Sequence, residues 1–325
     1  MAATGQLWVT SSLGGSLTNN SLSKSLRKQN EANWVYRQFC DVKEDPGKKK
    51  GDTVYFDKLL RLDTKGGTLT ETATIPENKW KVVKDSVVVT EIGNSVPYTE
   101  KLETLAEFDP QDISSRTLKS DILEVIDSLI AAKFDDTDYV AVCTSTSSTV
   151  FTTGGTATAT AGCNMSDKNV RDVVDYMAKK WIPAYADGNY RAIVSVNTQR
   201  GIYDYLQAIA QYTEPAFRHN AEIGQYYKTR FVLDNYGGAL SDSIGTGSIY
   251  GEAFIFGQEA VMEAVAALEE IRMKIPTDYG RSKGVAWVGT MNWKKMWDVS
   301  DDLNGVDKGI TRIVKVSSNN QIEAD

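Results

Sequence analysis

The only histidine in the chain, His219, would have to carry any imidazole chemistry alone. Its neighbours Arg218 and Asn220 follow Pro215 in a loop-like stretch without a second histidine or cysteine, whereas zinc sites and Ser-His-Asp triads need convergent partners. The cysteines, Cys40, Cys143 and Cys163, are odd in number and lack C-x-x-C spacing. That suits a reducing compartment and supplies no metal or disulfide framework. The run "TTGGTATATAGC" (152–163) is rich in glycine but is not followed by Lys-Ser/Thr, so it does not make a phosphate-cradling loop and reads as a surface loop. Paired acids at Glu44-Asp45, Asp135-Asp136, Glu269-Glu270 and Asp301-Asp302 could serve proton transfer or calcium binding. None has D-x-D-x-D-G spacing, and they read as solvated faces. The expectation is a chain with no catalytic residue, no metal ligand and no cofactor.

The elements that would position such residues point elsewhere. Residues 1 to about 30 are rich in Ser, Thr, Asn and Gly and read as a mobile arm. The patch Trp34, Val35, Tyr36 and Phe39 should dock the arm's end. From Gly51 to Lys79 runs "GDTVYFDKLLRLDTKGGTLTETATIPENK". Val54, Phe56, Leu60 and Leu62 alternate on one strand face, interrupted by Lys58, and the second half is polar around Gly66-Gly67. A return strand is expected over about Trp80–Ile92, with a bulge near Asp85-Ser86. A hairpin this long with so little to bury is marginal in water, so it must lie on another surface, its own sheet or a partner's.

Asp109-Pro110 then opens a helix, an N-cap with proline at the first position. Its stripe, Ile113, Leu118, Ile122, Val125, Ile126, Leu129, Ile130 and Phe134, predicts a core strut over 110–133 without buried charge. A strand is expected at Asp138–Thr144. Ser166 should cap a helix whose buried face holds Val170, Val173, Val174, Met177 and Trp181. Tyr190–Val196 reads as a buried strand, and Thr198 as the cap of a helix carrying Ile202, Tyr205, Leu206 and Ile209. Further strands are predicted at Arg230–Leu233, Ile249–Phe256, Val285–Val288 and Arg312–Val316. The mixture without regular βαβ alternation favours α+β.

Composition sets outer bounds. With 325 residues, 41% hydrophobic and 24% charged, the chain can build a real core and is not wholly disordered. The net charge of −7 argues against a general nucleic-acid binder. It is uneven: residues 1–50 hold eight Lys/Arg and four Asp/Glu, a net of +4, so residues 51–325 carry −11. The start lacks a signal-peptide pattern and no run approaches a membrane span, which predicts synthesis in the cytoplasm.

The segments "GEAFIFGQEAVMEAV" (Gly251–Val265), "LEEIRMKIPTDYGRSKGVAWVG" (Leu268–Gly289) and "TRIVKVSS" (Thr311–Ser318) resemble the closing part of the major capsid proteins of N4-like tailed phages. Gly51-Asp52-Thr53-Val54 and the strand Tyr190–Val194 resemble the same family in the same order. The likeness spans about 50–318 and is loose across 144–165. It implies the Hong Kong 97 phage capsid fold, of α+β class. In that frame 1–50 is an N-terminal arm and 51–92 an extended E-loop hairpin. Residues 93–137 would form a peripheral domain with a spine helix at 110–133, and 138–260 mostly an axial domain. Residues 261–325 would return to the peripheral domain.

The implied function is structural: copies form the pentamers and hexamers of an icosahedral head that encloses double-stranded DNA. The partners would be further copies, scaffold, portal and cement or decoration proteins, and DNA touched weakly by the inner face. There would be no membrane, and the protein would belong to the virion, assembled in the host cytoplasm. An encapsulin-type compartment or a tail-tube subunit is the alternative. Contacts between copies would fall on Val54, Phe56, Leu60, Leu62, Lys65, Thr68, Thr70 and Lys79, with Ile122, Val125, Ile126 and Leu129 as the spine-helix core. Some proteins with this fold form Lys–Asn crosslinks, for which Lys58, Lys65 and Lys79 are the ribbon's lysines.

Overall fold

The computed structural model describes residues 35–44, 51–60, 62, 66–72, 74–145, 148–153, 165–196, 198–199, 201–202, 222–234, 240, 250–298 and 311–319. The chain divides into a unit of residues 1–31, outside that set, and one of residues 32–325, to which everything below refers. His219, Trp34, Asp45, Lys65, Cys163, Asp301-Asp302 and most of the helix expected after Thr198 also lie outside the described residues.

In chain order the strands are β1 (Asp41–Glu44), β2 (Thr53–Leu60), β3 (Lys81–Val88), β4 (Thr90–Thr99), β5 (Tyr139–Ser145), β6 (Ser148–Thr153), β7 (Tyr190–Ser195), β8 (Glu222–Tyr226), β9 (Thr229–Asp234), β10 (Tyr250–Phe256), β11 (Val261–Met273), β12 (Ser282–Lys295) and β13 (Ile313–Asn319). The helices are α1 (Glu100–Leu105), α2 (Pro110–Asp135) and α3 (Asp167–Lys179). The α+β expectation holds.

Seven strands pair in the order β6-β5-β13-β10-β7-β9-β8, with β13–β5 and β7–β9 parallel. β-Branched and aromatic runs such as "YVAV", "RAIV" and "AFIF" make its central strands, and they are apolar on both faces because both faces are covered. One face, with Ala192, Val194, Phe231, Ala253, Ile255 and Val316, packs on α3. The other, with Ile193, Val232, Phe254, Phe256 and Ile313, joins the core that holds α2. Ser166 caps α3 in a reciprocal box with Asn169, whose amide also donates to the carbonyls of Ser145 (3.2 Å) and Ser148 (3.1 Å). Val170, Val173, Val174 and Met177 are buried as expected. Trp181 is not: the backbone turns left-handed there (φ 61°) and swings the indole outward.

The second sheet has the order β1-β11-β12-β4. Its strand β4 ends the row, which is where Pro97, lacking an N–H, can be tolerated. Gly93 lies so close to β12 that a Cβ would sit 2.4 Å from the Trp287 carbonyl oxygen. β12 thus pairs with β4 and β11 with β12, whereas 313–319 insert into the seven-stranded sheet between β5 and β10.

Helix α2 begins as its sequence indicates, with Asp109 accepting from the Gln111 N–H at 2.9 Å and proline in the first turn, and runs to Asp135. Leu118, Ile122, Ile126, Ile130 and Phe134 are buried between the helix and both sheets. Phe134 meets the Phe256 ring at 4.8 Å and the Tyr36 ring at 5.7 Å. Val125 is half-buried and Leu129 is exposed, because the buried stripe follows 118, 122, 126, 130 and 134, an i+4 row from which 129 lies one residue off. The expectation of no buried charge fails as well. Asp127 is buried beside Ile126.

Candidate assembly ribbon and its anchorage

Strands β2 and β3 form a separate two-stranded ribbon that continues into β4 after Val89. Its register runs unbroken from Thr53 opposite Val88 to Leu60 opposite Lys81, so the bulge expected near Asp85-Ser86 is absent. The Val89 N–H donates to the Asp52 carbonyl at 2.7 Å and extends the pairing. Alternation puts Val54, Phe56 and Lys58 on one face and Tyr55, Asp57 and Leu59 on the other.

The first face is covered by this chain itself. Val54, Phe56 and Val87 cluster with Ala264 and Met296, and Met262 and Trp297 pack against them. Lys58, which breaks the apolar alternation, is 2% exposed. Its ammonium lies 2.8 Å from Asp85 and over the rings of Phe56 (6.0 Å) and Trp297 (5.8 Å). Asp85 also takes an ion pair from Lys294, whose ammonium donates to the Ser86 carbonyl at 3.1 Å. Asn292 donates to the Val88 carbonyl at 2.7 Å. The ribbon's base is thus tied to β12 by side chains. Burial works to raise the Asp85 carboxyl, and the hydrogen bonds from Lys294 and Lys58 outweigh it and hold it below the usual aspartate value.

Because the folded pKa lies below the unfolded one, the stabilisation is fully present above the unfolded value and is lost as pH falls through the folded value. The window opens at about pH 3.9 and extends downward. Asp85→Asn should reproduce the acid state at neutral pH. Hydrogen–deuterium exchange is expected to quicken in 53–60 and 81–88 and stay unchanged in 139–145; unchanged exchange in the ribbon would show that the triad does not hold it.

Beyond this base the ribbon is exposed. Residues 66–72 and 74–80 are exposed throughout, including Thr68, Thr70 and Lys79. Leu59 is 69% and Trp80 74% exposed, and Leu62, Leu69, Ile75 and Val82 join them. The exposed apolar side chains of the ribbon are therefore not all those expected at its contact. Val54 and Phe56 are already occupied, Leu60 is half-buried, Leu62 is exposed, and the free apolar side chains sit largely on the opposite face, where Leu59 pairs with Val82. Sequence alternation found the faces but could not tell which one the chain covers itself. Lys58, one of the ribbon's three lysines, is buried and paired with Asp85.

Three buried carboxylates of the body, Asp127, Asp234 and Glu263, anchor the segment before β1. Asp127 accepts the N–H groups of Val35 (2.9 Å), Tyr36 (2.9 Å) and Arg37 (3.1 Å). Burial pushes its carboxyl above the usual value, against the lowering effect of these three bonds. Tyr36 donates its hydroxyl to Asp234 at 2.8 Å, and Arg37 reaches Glu269 at 2.8 Å and Glu263 at 3.0 Å. The docking expected for this patch is thus built from buried aromatics and charge-assisted bonds. Two of the acidic pairs that could have done chemistry are engaged structurally: Asp135 with Lys315 (2.6 Å), Asp136 near Lys295 (3.8 Å), Glu269 with Arg37 and Glu270 with Arg272. Among the described residues no cluster of three or more His, Cys, Asp or Glu could hold a metal ion, and no helix is long and apolar enough to cross a membrane.

This arrangement of two sheets, a long helix and a projecting ribbon recurs in solved structures. The capsid of Ralstonia phage GP4 superposes with a TM-score of 0.70 at 14% identity, covering 99% of this chain and 100% of that one. The Helicobacter pylori bacteriophage KHP30 capsid gives 0.66 at 10% identity over 98% and 99%, and the cyanophage Pam1 capsid 0.62 at 14% over 98% and 99%. The fold is that of a phage capsid protein, the Hong Kong 97 type. No protein-family model and no curated protein matches the sequence, so the narrower likeness to N4-like capsid proteins rests on the motifs alone.

Proposed function

We propose that this chain is the major capsid protein of a tailed phage, a structural subunit whose copies close into an icosahedral head around double-stranded DNA. One observation carries the reading. The ribbon is anchored through Lys58, Asp85 and Lys294 and then projects a run of apolar side chains that are exposed among the described residues. Together with a capsid fold matched over nearly the full length, this is what a subunit needs for repeating head-to-tail contacts. In this reading 51–92 is the E-loop, α2 the spine helix, the sheet holding β4, β11 and β12 the peripheral domain, and the seven-stranded sheet the axial domain. Leu59, Leu62, Trp80 and Val82 form the dry part of the contact with a neighbouring copy, and Thr68, Thr70 and Lys79 its polar, wetter part. Pentamers and hexamers are the rings these contacts make. The net charge of +4 on residues 1–50 suits a face turned toward scaffold or genome, at weak affinity given the acidic remainder.

Sedimentation of the purified full-length chain, alone and with a scaffold protein, tests this. Shell-sized particles are expected from a 35.8 kDa subunit. Persistent monomers at high concentration under both conditions, or open tubes, would overturn the proposal.

A further inference from the structure

The ribbon's base and the seven-stranded sheet meet at one aromatic ring. Trp297 lies just beyond the end of β12 at Lys295 and packs on the apolar cluster of Val54, Phe56 and Val87. Its ring takes two cations from different parts of the fold, the Arg312 guanidinium at 4.2 Å and the Lys58 ammonium at 5.8 Å. Lys58 belongs to the ribbon strand β2, whereas Arg312 immediately precedes β13 of the seven-stranded sheet. Each cation has its own carboxylate, Asp85 for Lys58 (2.8 Å) and Glu259 for Arg312 (2.9 Å), so the shared ring gathers no unmatched charge.

Arg312 is itself held in place. Its side chain donates to the Gln258 carbonyl at 2.8 Å, and its own carbonyl accepts the Gly257 N–H at 3.0 Å. The Trp297 indole N–H, by contrast, is buried and has no acceptor among the described residues. An unmatched buried donor is costly, and phenylalanine would avoid it. What tryptophan adds is its ring face, the strongest cation–π surface of the aromatic side chains. At 4.2 Å Arg312 is in close contact with that face, while Lys58 at 5.8 Å is near the limit of the attraction. The ring is therefore fixed chiefly from the side of the sheet, and the ribbon settles on it.

We infer that Trp297 and Arg312 are positioning residues for the ribbon: Arg312, acting through the Trp297 ring, sets the direction in which β2 and β3 leave the body. Among the described residues the hydrogen bonds and ion pair of the Arg312 side chain go to Gln258 and Glu259, not to the ribbon. The coupling operates in the single subunit, whether or not copies assemble.

Hydrogen–deuterium exchange of the purified full-length subunit tests it on wild type, Arg312→Gln, Trp297→Leu and the double variant. Arg312→Gln is expected to quicken exchange in 53–60 and 81–88 about threefold to tenfold and to leave α3 unchanged. Trp297→Leu should quicken the same strands, and adding Arg312→Gln to it should quicken them no further. Arg312→Lys, which keeps a cation for the ring, should fall close to wild type. Wild-type exchange of the ribbon in Arg312→Gln, or effects of the two substitutions that simply add, would overturn the coupling. Faster exchange throughout, α3 included, would overturn it too, by showing Arg312 to be a packing group of the whole subunit. Should Arg312→Gln not fold, the gentler Trp297→Phe decides: about twofold faster exchange confined to the ribbon supports the coupling, and wild-type exchange overturns it. The expected pattern in a chain whose wild type forms no shells would support the coupling and defeat the shell reading alone.

Discussion

Deleting residues 64–79 should leave a folded subunit that no longer forms shells. The deletion shortens the ribbon tip to Arg61, Leu62, Asp63 and Trp80, a four-residue loop beyond the Leu60–Lys81 pair, a length that hairpins accept. The residues described within the deleted stretch are exposed, so the two sheets and α2 lose no packing partner. Circular dichroism should show native secondary structure, and Tm should stay within a few degrees of wild type. What is removed is the polar, wetter part of the proposed contact, together with the exposed Leu69 and Ile75. Burying two apolar side chains of this size against a neighbouring copy would be worth about 2 kcal/mol each, so their loss should weaken each proposed contact at least about 100-fold, and a shell multiplies that loss over every subunit. Insoluble or unfolded variant would place the ribbon in the subunit's own core; normal shells would remove it from the assembly contact.

The second large effect concerns Asp127. Asp127→Ala leaves three buried or half-buried N–H groups, those of Val35, Tyr36 and Arg37, without their acceptor. Losing the partner of a buried donor costs about 1–3 kcal/mol, more where the acceptor is charged, and bonds sharing one carboxylate are not additive. A loss of about 3–5 kcal/mol is expected, lowering Tm by roughly 6–15 °C. Because Tyr36 and Phe39 pack into the same core as Phe134 and Phe256, this is a defect of the body and not only of the arm. Asp127→Asn, which keeps one acceptor oxygen, should lose less. Equal stability of Asp127→Ala and wild type by thermal denaturation would contradict the anchoring role.

Much of the architecture is written locally. Asp109-Pro110 marks the start of α2 to the residue, Ser166 and Asn169 mark that of α3, and the β-branched runs locate β5, β7, β9, β10 and β13. These signals are visible because caps and two-sided apolar strands depend on neighbours in sequence. β11 was far less legible. Its "VMEAVAALEEIRM" is rich in Ala, Glu, Leu and Met, good helix formers, and it becomes a 13-residue strand because β12 pairs along it and β1 covers its start. Tertiary partners from distant sequence decide its state.

The same limit applies to the ribbon. Alternation separates Val54 and Phe56 from Tyr55 and Leu59 but says nothing about Ala264, Met296 and Trp297, which cover the first pair. Lys58 read as a flaw in an apolar face, and its fit depends on Asp85 and Trp297, 27 and 239 residues away. Asp127 was hidden for the opposite reason. A single acid beside a helical stripe looks solvated until the turn it caps is known.

The central claim is that the ribbon's missing cover is another copy of the same chain. Electron cryo-microscopy of assembled particles tests it most directly. The account predicts each β2–β3 ribbon lying across an adjacent copy, with Leu59, Leu62, Trp80 and Val82 buried against it and Val54 and Phe56 still covered from within. Ribbons folded back on their own subunit, or these four side chains open to solvent in the finished shell, would contradict it.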